Sequence, residues 1–229
     1  MNIPLHIHQT WKDEHIPESV AAYVQTWKAH HPGWAYTLWT DAMNRDFLST
    51  YYPGFLPVYD RYPTAIQRVD AVRYFILHHL GGVFIDLDFE CLKNVGPLLA
   101  GATFVAGLEP AAHALAHRKK YIISNAFMAG MPQAGFTERI CQVLLRNDYY
   151  KYYREPGFNS ILDCAGPFML SRIYEDFEPK EAVRILEPER LYPLVKDPRT
   201  GRTRPEDISR ELAAGKAFAI HHYWGTWWH

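Results

Sequence analysis

Two carboxylates one residue apart, Asp86 and Asp88, close the apolar run Gly81-Gly82-Val83-Phe84-Ile85. Read as a strand, this segment turns Asp86 and Asp88 to one side and Ile85 and Leu87 to the other. Like charges placed so at the end of a buried strand need a cation, a shared proton or open water. An acidic surface turn after an edge strand is the plain alternative. The Val-Phe-Ile run and the Gly-Gly entry favour a buried strand. A divalent metal held with an anionic ligand such as a diphosphate is then the leading chemistry. A second pair, Asp70 and Arg73, lies three residues apart on a helical stripe with Ile66 and Leu77. It is either a structural ion pair or a pair that binds a ligand, since isolated buried charges are very costly. Two imidazoles, His221 and His222, sit in the aromatic run Ala219–His229. Chain ends are usually polar and frayed, so a run this aromatic is expected to fold back onto the body with its histidines.

The elements that must position these groups read as an alternating α/β chain. Ile3 to Gln9 suggests a first strand, Glu18 to His30 a helix closed by His31-Pro32-Gly33, and Ala35 to Trp39 a second strand. Thr40-Asp41 can cap the helix that follows. This order implies a mostly parallel sheet with ligands at the carboxyl ends of its strands. A helix is expected from about Pro63 to His79, with Pro63 in its first turn and Gly81 as its left-handed stop. It is apolar nearly all round and should be largely buried. Phe104 to Ala106 and Ile122 to Met128 read as further strands, with Asn125 inside the second.

The 229 residues suffice for a sizeable core, and we read 1–229 as a single domain. A net charge of −1 argues against a general nucleic-acid binder. Aromatics at 15%, rich in Trp and Tyr, suit stacking on bases and sugar faces as well as core packing. Cys91, Cys141 and Cys164 are odd in number and lack metal-ligand spacing, so they read as reduced core residues of a cytoplasmic-type compartment. No apolar run is long enough to span a membrane, and the start lacks the pattern of a secretory signal. Peripheral membrane contact stays open: Asp148–Arg154 mixes Tyr with basic groups, as interfacial segments and solvated helix faces both do. The basic, turn-rich segment 197–205 is either a solvated connection or a lid whose arginines meet phosphate.

The ordered set of motifs resembles a known family. It comprises Ile-Pro-Leu-His-Ile-His-Gln-Thr-Trp (3–11), Tyr-Thr-Leu-Trp-Thr-Asp (36–41), Asp70-Ala-Val-Arg73-Tyr and Gly-Gly-Val-Phe-Ile-Asp-Leu-Asp (81–88). Gly166-Pro167 and a His-His-X-X-X-Thr-Trp run (221–227) complete it. Together they resemble the DXD-containing sugar transferases of glycosyltransferase family 32. That family includes initiating α-1,6-mannosyltransferases and α-1,4-galactosyltransferases, and is more distantly similar to the large clostridial glucosylating toxins. The resemblance implies a GT-A fold, a nucleotide-sugar donor, a divalent metal (Mn²⁺ or Mg²⁺) and retention of anomeric configuration. Its catalytic residues would be Asp86, Asp88 and Arg73. Asp88 would ligate the metal, while Asp86 would reach both metal and donor. Trp11 would stack on the nucleobase, with Gln9 also on the donor side, and Asp70 and Arg73 would bind donor sugar and diphosphate. Asn125 would line the sugar pocket. His221 would be the late metal or diphosphate contact, with His222 as the fallback. Thr226, where the family more often has Ser, and Trp227 would close over the diphosphate. UDP-sugars come ahead of GDP-mannose as donor, and the acceptor is a glycan, a lipid-linked sugar or a protein. Without the anchor of Golgi members, the chain fits a bacterial-type cytoplasmic enzyme, membrane-associated at most.

The residue types suit that chemistry. Carboxylate oxygens with an imidazole match Mn²⁺ or Mg²⁺, which would neutralise charge on the leaving diphosphate, with Arg73 donating to the same oxygens. Two rivals remain at this level. Phe84-Ile-Asp-Leu-Asp also resembles the first motif of haloacid-dehalogenase-type phosphatases, although Phe89-Glu90 departs from it. A non-catalytic carbohydrate-binding module would use the aromatics and a structural metal, but leaves a buried Asp70–Arg73 pair unexplained.

Overall fold

The computed structural model describes residues 2–146, 159–196 and 203–224. Its strands are β1 (His6–Thr10), β2 (Ala35–Trp39), β3 (Gly82–Ile85), β4 (Phe89–Cys91), β5 (Phe104–Leu108), β6 (Ile123–Gly130), β7 (Val183–Leu186) and β8 (Ala219–His221). The helices are α1 (Glu18–His30), α2 (Asp41–Tyr51), α3 (Leu56–Tyr59), α4 (Ala65–Leu80), α5 (Gly96–Leu99) and α6 (Ala111–Ala116). They continue with α7 (Gly135–Arg146), α8 (Ser160–Cys164), α9 (Pro167–Asp176), α10 (Pro188–Leu191) and α11 (Pro205–Ala214).

Local sequence accounts for most of these bounds. Thr40 caps α2 by accepting from the Met43 N–H, and Thr64 caps α4 by accepting from the Gln67 N–H. Pro63 therefore precedes the α4 cap instead of occupying the first turn. β1 starts later than the apolar pattern suggests, because Pro4 cannot donate to a ladder and its carbonyl accepts from the His6 N–H in a turn.

Strand order in the main sheet is β2-β1-β3-β6-β5-β7. β1 runs parallel to β2 and to β3, and β5 parallel to β7, whereas β6 is antiparallel to both its neighbours. The reversal brings the start of β6 beside the carboxyl end of β3, where the Asp86 N–H donates to the Ala126 carbonyl at 2.8 Å. β4 leaves the sheet and pairs antiparallel with β8, with Phe89 opposite His221. The expected fold-back of the aromatic tail is thus a two-stranded ladder.

α4 lies against the sheet with Asp70 to Leu77 buried without a break, as its all-round apolar sequence predicts. Phe75, Ile76 and Leu77 are each fully buried and contribute about 1.5–3 kcal/mol apiece. The three cysteines are free and buried. Between α4 and β3 the chain turns on two glycines, Gly81 with φ 66° and Gly82 with φ 100°. A Cβ on Gly82 would lie 2.6 Å from the His6 carbonyl oxygen and 2.8 Å from His8 Nε2. That close approach lets β3 pair with β1, and His8 Nε2 donates to the Gly81 carbonyl while its Nδ1 accepts from Trp39 Nε1. Burial, aided by the neighbouring His6, pushes the His8 pKa down to about 3, consistent with this neutral tautomer.

Gly82→Ala is expected to lose roughly 2–4 kcal/mol of stability, since it adds a backbone clash to an unfavourable φ. Gly33→Ala shares the positive φ but meets nothing within 4 Å, and should lose only about 1–2 kcal/mol. Urea unfolding of both variants measures the difference; equal losses would show that the clash at Gly82 is relieved.

Candidate active site

The carboxyl ends of β1, β3 and β5 and the start of β6 converge on a cavity of about 410 Å³. Asp86 is the first residue beyond β3, and Leu87 and Asp88 form a turn closed by the Phe89 N–H on the Asp86 carbonyl at 3.2 Å. The expected strand alternation is therefore not what aligns the two carboxylates. Both line the cavity because the chain turns out of the sheet to start β4. Leu87 meanwhile packs with Val20 and Val24 of α1.

Arg73, only 1% exposed, ties the inner wall together. Its guanidinium donates to Asp70 Oδ1 at 2.9 Å, to Asp86 Oδ1 at 3.1 Å and to the Asn125 carbonyl at 2.7 Å. Asn125 Nδ2 donates to Asp70 Oδ1 at 3.0 Å. With so many donors already engaged, Arg73 positions the carboxylates. Nη2 keeps a second N–H beyond its bond to Asp70, the one through which the expected donation to a leaving diphosphate would run. One guanidinium facing two buried carboxylates leaves excess negative charge. Burial pushes Asp70 up to about 7 against the pull of Arg73, and raises Asp86 as well, with Asp88 adding to the effect.

Asp88 has the opposite environment. Burial would raise its pKa, but the His221 imidazole, and hydrogen bonds from His221 and the Trp224 N–H, hold it at about 2. His221 Nε2 lies 3.1 Å from Asp88 Oδ1, and the Trp224 N–H donates to Oδ2 at 2.8 Å. Asp88 in turn raises the His221 pKa against burial. The Asp88 contribution to stability is present above about 4 and lost as pH falls towards 2; the His221 contribution is present below about 6.5 and lost as pH rises. Asp86, Asp88 and His221 each bring a ligand atom within 4.8 Å of the others, a donor set of two carboxylates and one imidazole. His222 does not join them. Adjacent residues point to opposite sides, and its Nε2 lies 2.9 Å from Glu90 Oε2 with the ring stacked on Tyr23. The fallback role for His222 is accordingly withdrawn.

Trp11 lines the cavity together with Lys12 and Val20. Gln9 does not reach the cavity: it is fully buried, donates to the Asp86 carbonyl at 3.3 Å and accepts from the Tyr36 hydroxyl at 3.0 Å. It supports the Asp86 backbone from below, which corrects its expected place on the donor. Thr226 and Trp227, most of segment 197–205 and Asp148–Arg154 lie outside the described residues. Among the described residues, the buried side-chain polar atoms without a partner are Trp11 Nε1, His221 Nδ1, the Tyr223 hydroxyl and Asn44 Oδ1. All but the last belong to residues lining this cavity. Each such group costs about 1–3 kcal/mol, so they gather where a ligand would satisfy them.

Sequence reading missed Glu109, Lys196 and Tyr223, which line the same cavity. Ending β5 at Ala106 hid the first; the strand runs to Leu108 and places Glu109 at its carboxyl end. Tyr223 sits in the aromatic run expected to fold back, where the sequence assigns it no role of its own, and no local signal marks Lys196.

Asp70, held with a raised pKa, contributes stability that is fully present below about 4 and lost as pH rises towards 7. Relative to wild type, Asp70→Asn should gain stability over this interval, because the variant has no carboxyl to titrate. Urea midpoints at a series of pH values test this. A constant difference would mean that Asp70 stays ionised throughout.

The model for the glycosyltransferase sugar-binding region containing the DXD motif matches residues 17–105. Inositol phosphoceramide mannosyltransferase 1 of Schizosaccharomyces pombe is 38% identical over 196 residues, covering 83% of this chain and 57% of that protein. Mannosyl phosphorylinositol ceramide synthase SUR1 of Saccharomyces cerevisiae is 38% identical over 191 residues, covering 81% of this chain and 47% of its own length. The chain thus spans about half the length of these relatives. Among solved structures, PaToxG glycosyltransferase superimposes with a TM-score of 0.59 at 15% identity, covering 77% of this chain and 70% of that one, a likeness of fold. No described helix is long and apolar enough to cross a membrane. Residues 17–105 thus carry the DXD-containing sugar-binding region of glycosyltransferases, and its Asp86-Leu87-Asp88 turn stands at the head of a sheet of GT-A type.

Proposed function

We propose that this chain is a metal-dependent, retaining mannosyltransferase that takes mannose from a nucleotide-activated donor to a hydroxyl of a phosphoinositol-type lipid headgroup. The carrying observation is the Asp86–Asp88–His221 cluster, which shares one cavity with the Arg73–Asp70–Asn125 network and Trp11. The names of the relatives, which print mannosyl transfer and inositol phosphoceramide, support mannose and an acceptor with a phosphoinositol headgroup. GDP-mannose is accordingly the donor proposed, in place of the UDP-sugar first expected.

The residues present fit a divalent metal. Asp88 is ionised at neutral pH, the donor set is oxygen-rich with one nitrogen, and every cysteine is buried away from it. Asp86, Asp88 and His221 would hold the ion, which when bound supplies Lewis-acid neutralisation of the departing diphosphate. The chain's own groups do the rest. Trp11 offers its ring face to the base and its unpartnered Nε1–H to a polar atom of the donor. Asp70 and Asn125, braced by Arg73, orient the sugar hydroxyls. Among the described residues no carboxylate is assigned as a nucleophile, so the reading adopted is transfer on the front face. The acceptor oxygen takes the sugar as the diphosphate leaves, and the leaving phosphate accepts the hydroxyl proton.

Nucleotide release from GDP-mannose and from a panel of UDP-sugars, with Mn²⁺ and then with EDTA, tests this reading without an acceptor. Release from GDP-mannose that requires the metal and is abolished in Asp88→Asn is the expected outcome. Full activity in EDTA, or in the variant, would remove the metal site, and cleavage of a UDP-sugar alone would change the donor. Trp11→Ala should weaken GDP binding by about 1–3 kcal/mol in calorimetric titration, the usual scale for an aromatic stacked on a base. Unchanged affinity would place the base elsewhere.

A further inference from the structure

Part of the cavity lining, which adjoins His221 through the Tyr223 ring at 4.2 Å between centroids, is used by no step above. Glu109 stands there with His117, Ile122, Leu162, Phe168 and Lys196. The Glu109 N–H donates to the Ile122 carbonyl at 2.9 Å, which extends the β5–β6 pairing by one bond and aims the side chain inward. His113 Nδ1 lies 2.9 Å from Glu109 Oε2, while its Nε2 accepts from the Lys196 N–H at 3.0 Å. An accepting Nε2 leaves the proton on Nδ1, so one neutral imidazole clamps both the carboxylate and the backbone of Lys196.

Positive charge is left over around this clamp. The Lys119 ammonium lies 4.9 Å over the Phe168 ring, and His117 meets the same ring edge-on at 5.1 Å. The Lys196 ammonium lies 4.8 Å over Tyr223, whose buried hydroxyl has no partner and whose φ is 52°. Among the described residues no carboxylate forms an ion pair with Lys119 or Lys196; the acid nearest by, Glu109, is bonded to His113. Burial lowers the His117 pKa, with Glu109 opposing and Lys196 and Lys119 adding to the effect, so His117 faces all three as a neutral donor. Glu109 is outside the Asp86–Asp88–His221 cluster, so a metal held there would not offset the charge of a diphosphate seated against Glu109. A ligand with one negative charge and a hydroxyl a few ångströms away answers both halves of the site.

We propose that this part of the cavity is an acceptor subsite for a polyol phosphodiester. Lys119, Lys196 and His117 take the phosphate, Glu109 accepts a hydrogen bond from a hydroxyl, and Phe168, Ile122 and Leu162 meet the apolar part beyond the phosphate. The word acceptor rests on the transferase reading above; the binding site does not. The source is a lipid headgroup: Leu115 is 79% exposed, and Arg118, Lys119 and Lys120 continue the positive charge outward beside it, a combination suited to an anionic lipid surface.

The test is calorimetric titration of the full chain with glycerophosphoinositol, myo-inositol and inorganic phosphate, each with and without GDP and Mn²⁺. Wild type should bind glycerophosphoinositol about tenfold more tightly than either fragment. The double variant Lys119→Ala/Lys196→Ala should lose about tenfold of that affinity while binding GDP as wild type does, which also reports that it is folded. Glu109→Gln should weaken glycerophosphoinositol but not phosphate. Unchanged headgroup affinity in the double variant, or phosphate binding as tightly as glycerophosphoinositol, would overturn the subsite. Headgroup binding by a wild type that fails to bind GDP would support the subsite and remove the donor reading instead. Flotation on phosphatidylcholine vesicles with and without phosphatidylinositol tests the source: dependence on phosphatidylinositol that disappears in the double variant supports the lipid. Equal flotation on both compositions overturns it.

Discussion

A single buried guanidinium joins the parts of this fold that must agree for the site to exist. Arg73 comes from the middle of α4 and bonds Asp70 one turn earlier, Asp86 just past β3 and the backbone of Asn125 in β6. Helix, central strand and reversed strand are therefore held in one register by one side chain. Truncating such a group leaves buried charges uncompensated, a loss of about 3–5 kcal/mol. Arg73 is thus both a structural residue and the reason the site's carboxylates face a common cavity.

Around that anchor the two DXD carboxylates are held in different states. Asp86 shares Arg73 with Asp70 and is pushed towards protonation, whereas Asp88 is kept ionised by His221 and the Trp224 N–H. The difference arises because β8 returns to pair with β4 and brings an imidazole and a backbone donor to Asp88. An anionic cluster so arranged is poised for a cation, and the unpartnered polar atoms of Trp11, His221 and Tyr223 spread around the same cavity show how far the polar demand extends.

Much of this architecture was legible in the residues. The bounds of α1 and β2 follow directly from periodicity and punctuation, and the burial of α4 follows from its unbroken apolar sequence. The apolar strand before Asp86 was equally plain, but its end was not. Alternation extends naturally through Leu87 and Asp88, and only the departure of β4 to meet β8 shows that the chain turns there. Gln9 illustrates the converse: its place in a motif suggested ligand contact, yet its two polar ends are spent on Asp86 and Tyr36.

What the sequence determined by itself was the inventory: a strand ending in two acids, a buried Asp–Arg pair on one helical stripe, and a tail too aromatic to remain in water. These follow from short-range periodicity and from the cost of exposing apolar surface or isolating charge. Only the tertiary structure decided the partners. The choice of His221 over His222 depends on which face of β8 meets Asp88, and the assembly of Glu109, His113, Phe168 and Lys196 depends on contacts between segments up to 87 residues apart. Such proximity is set by sheet order and helix packing, and no local spacing encodes it.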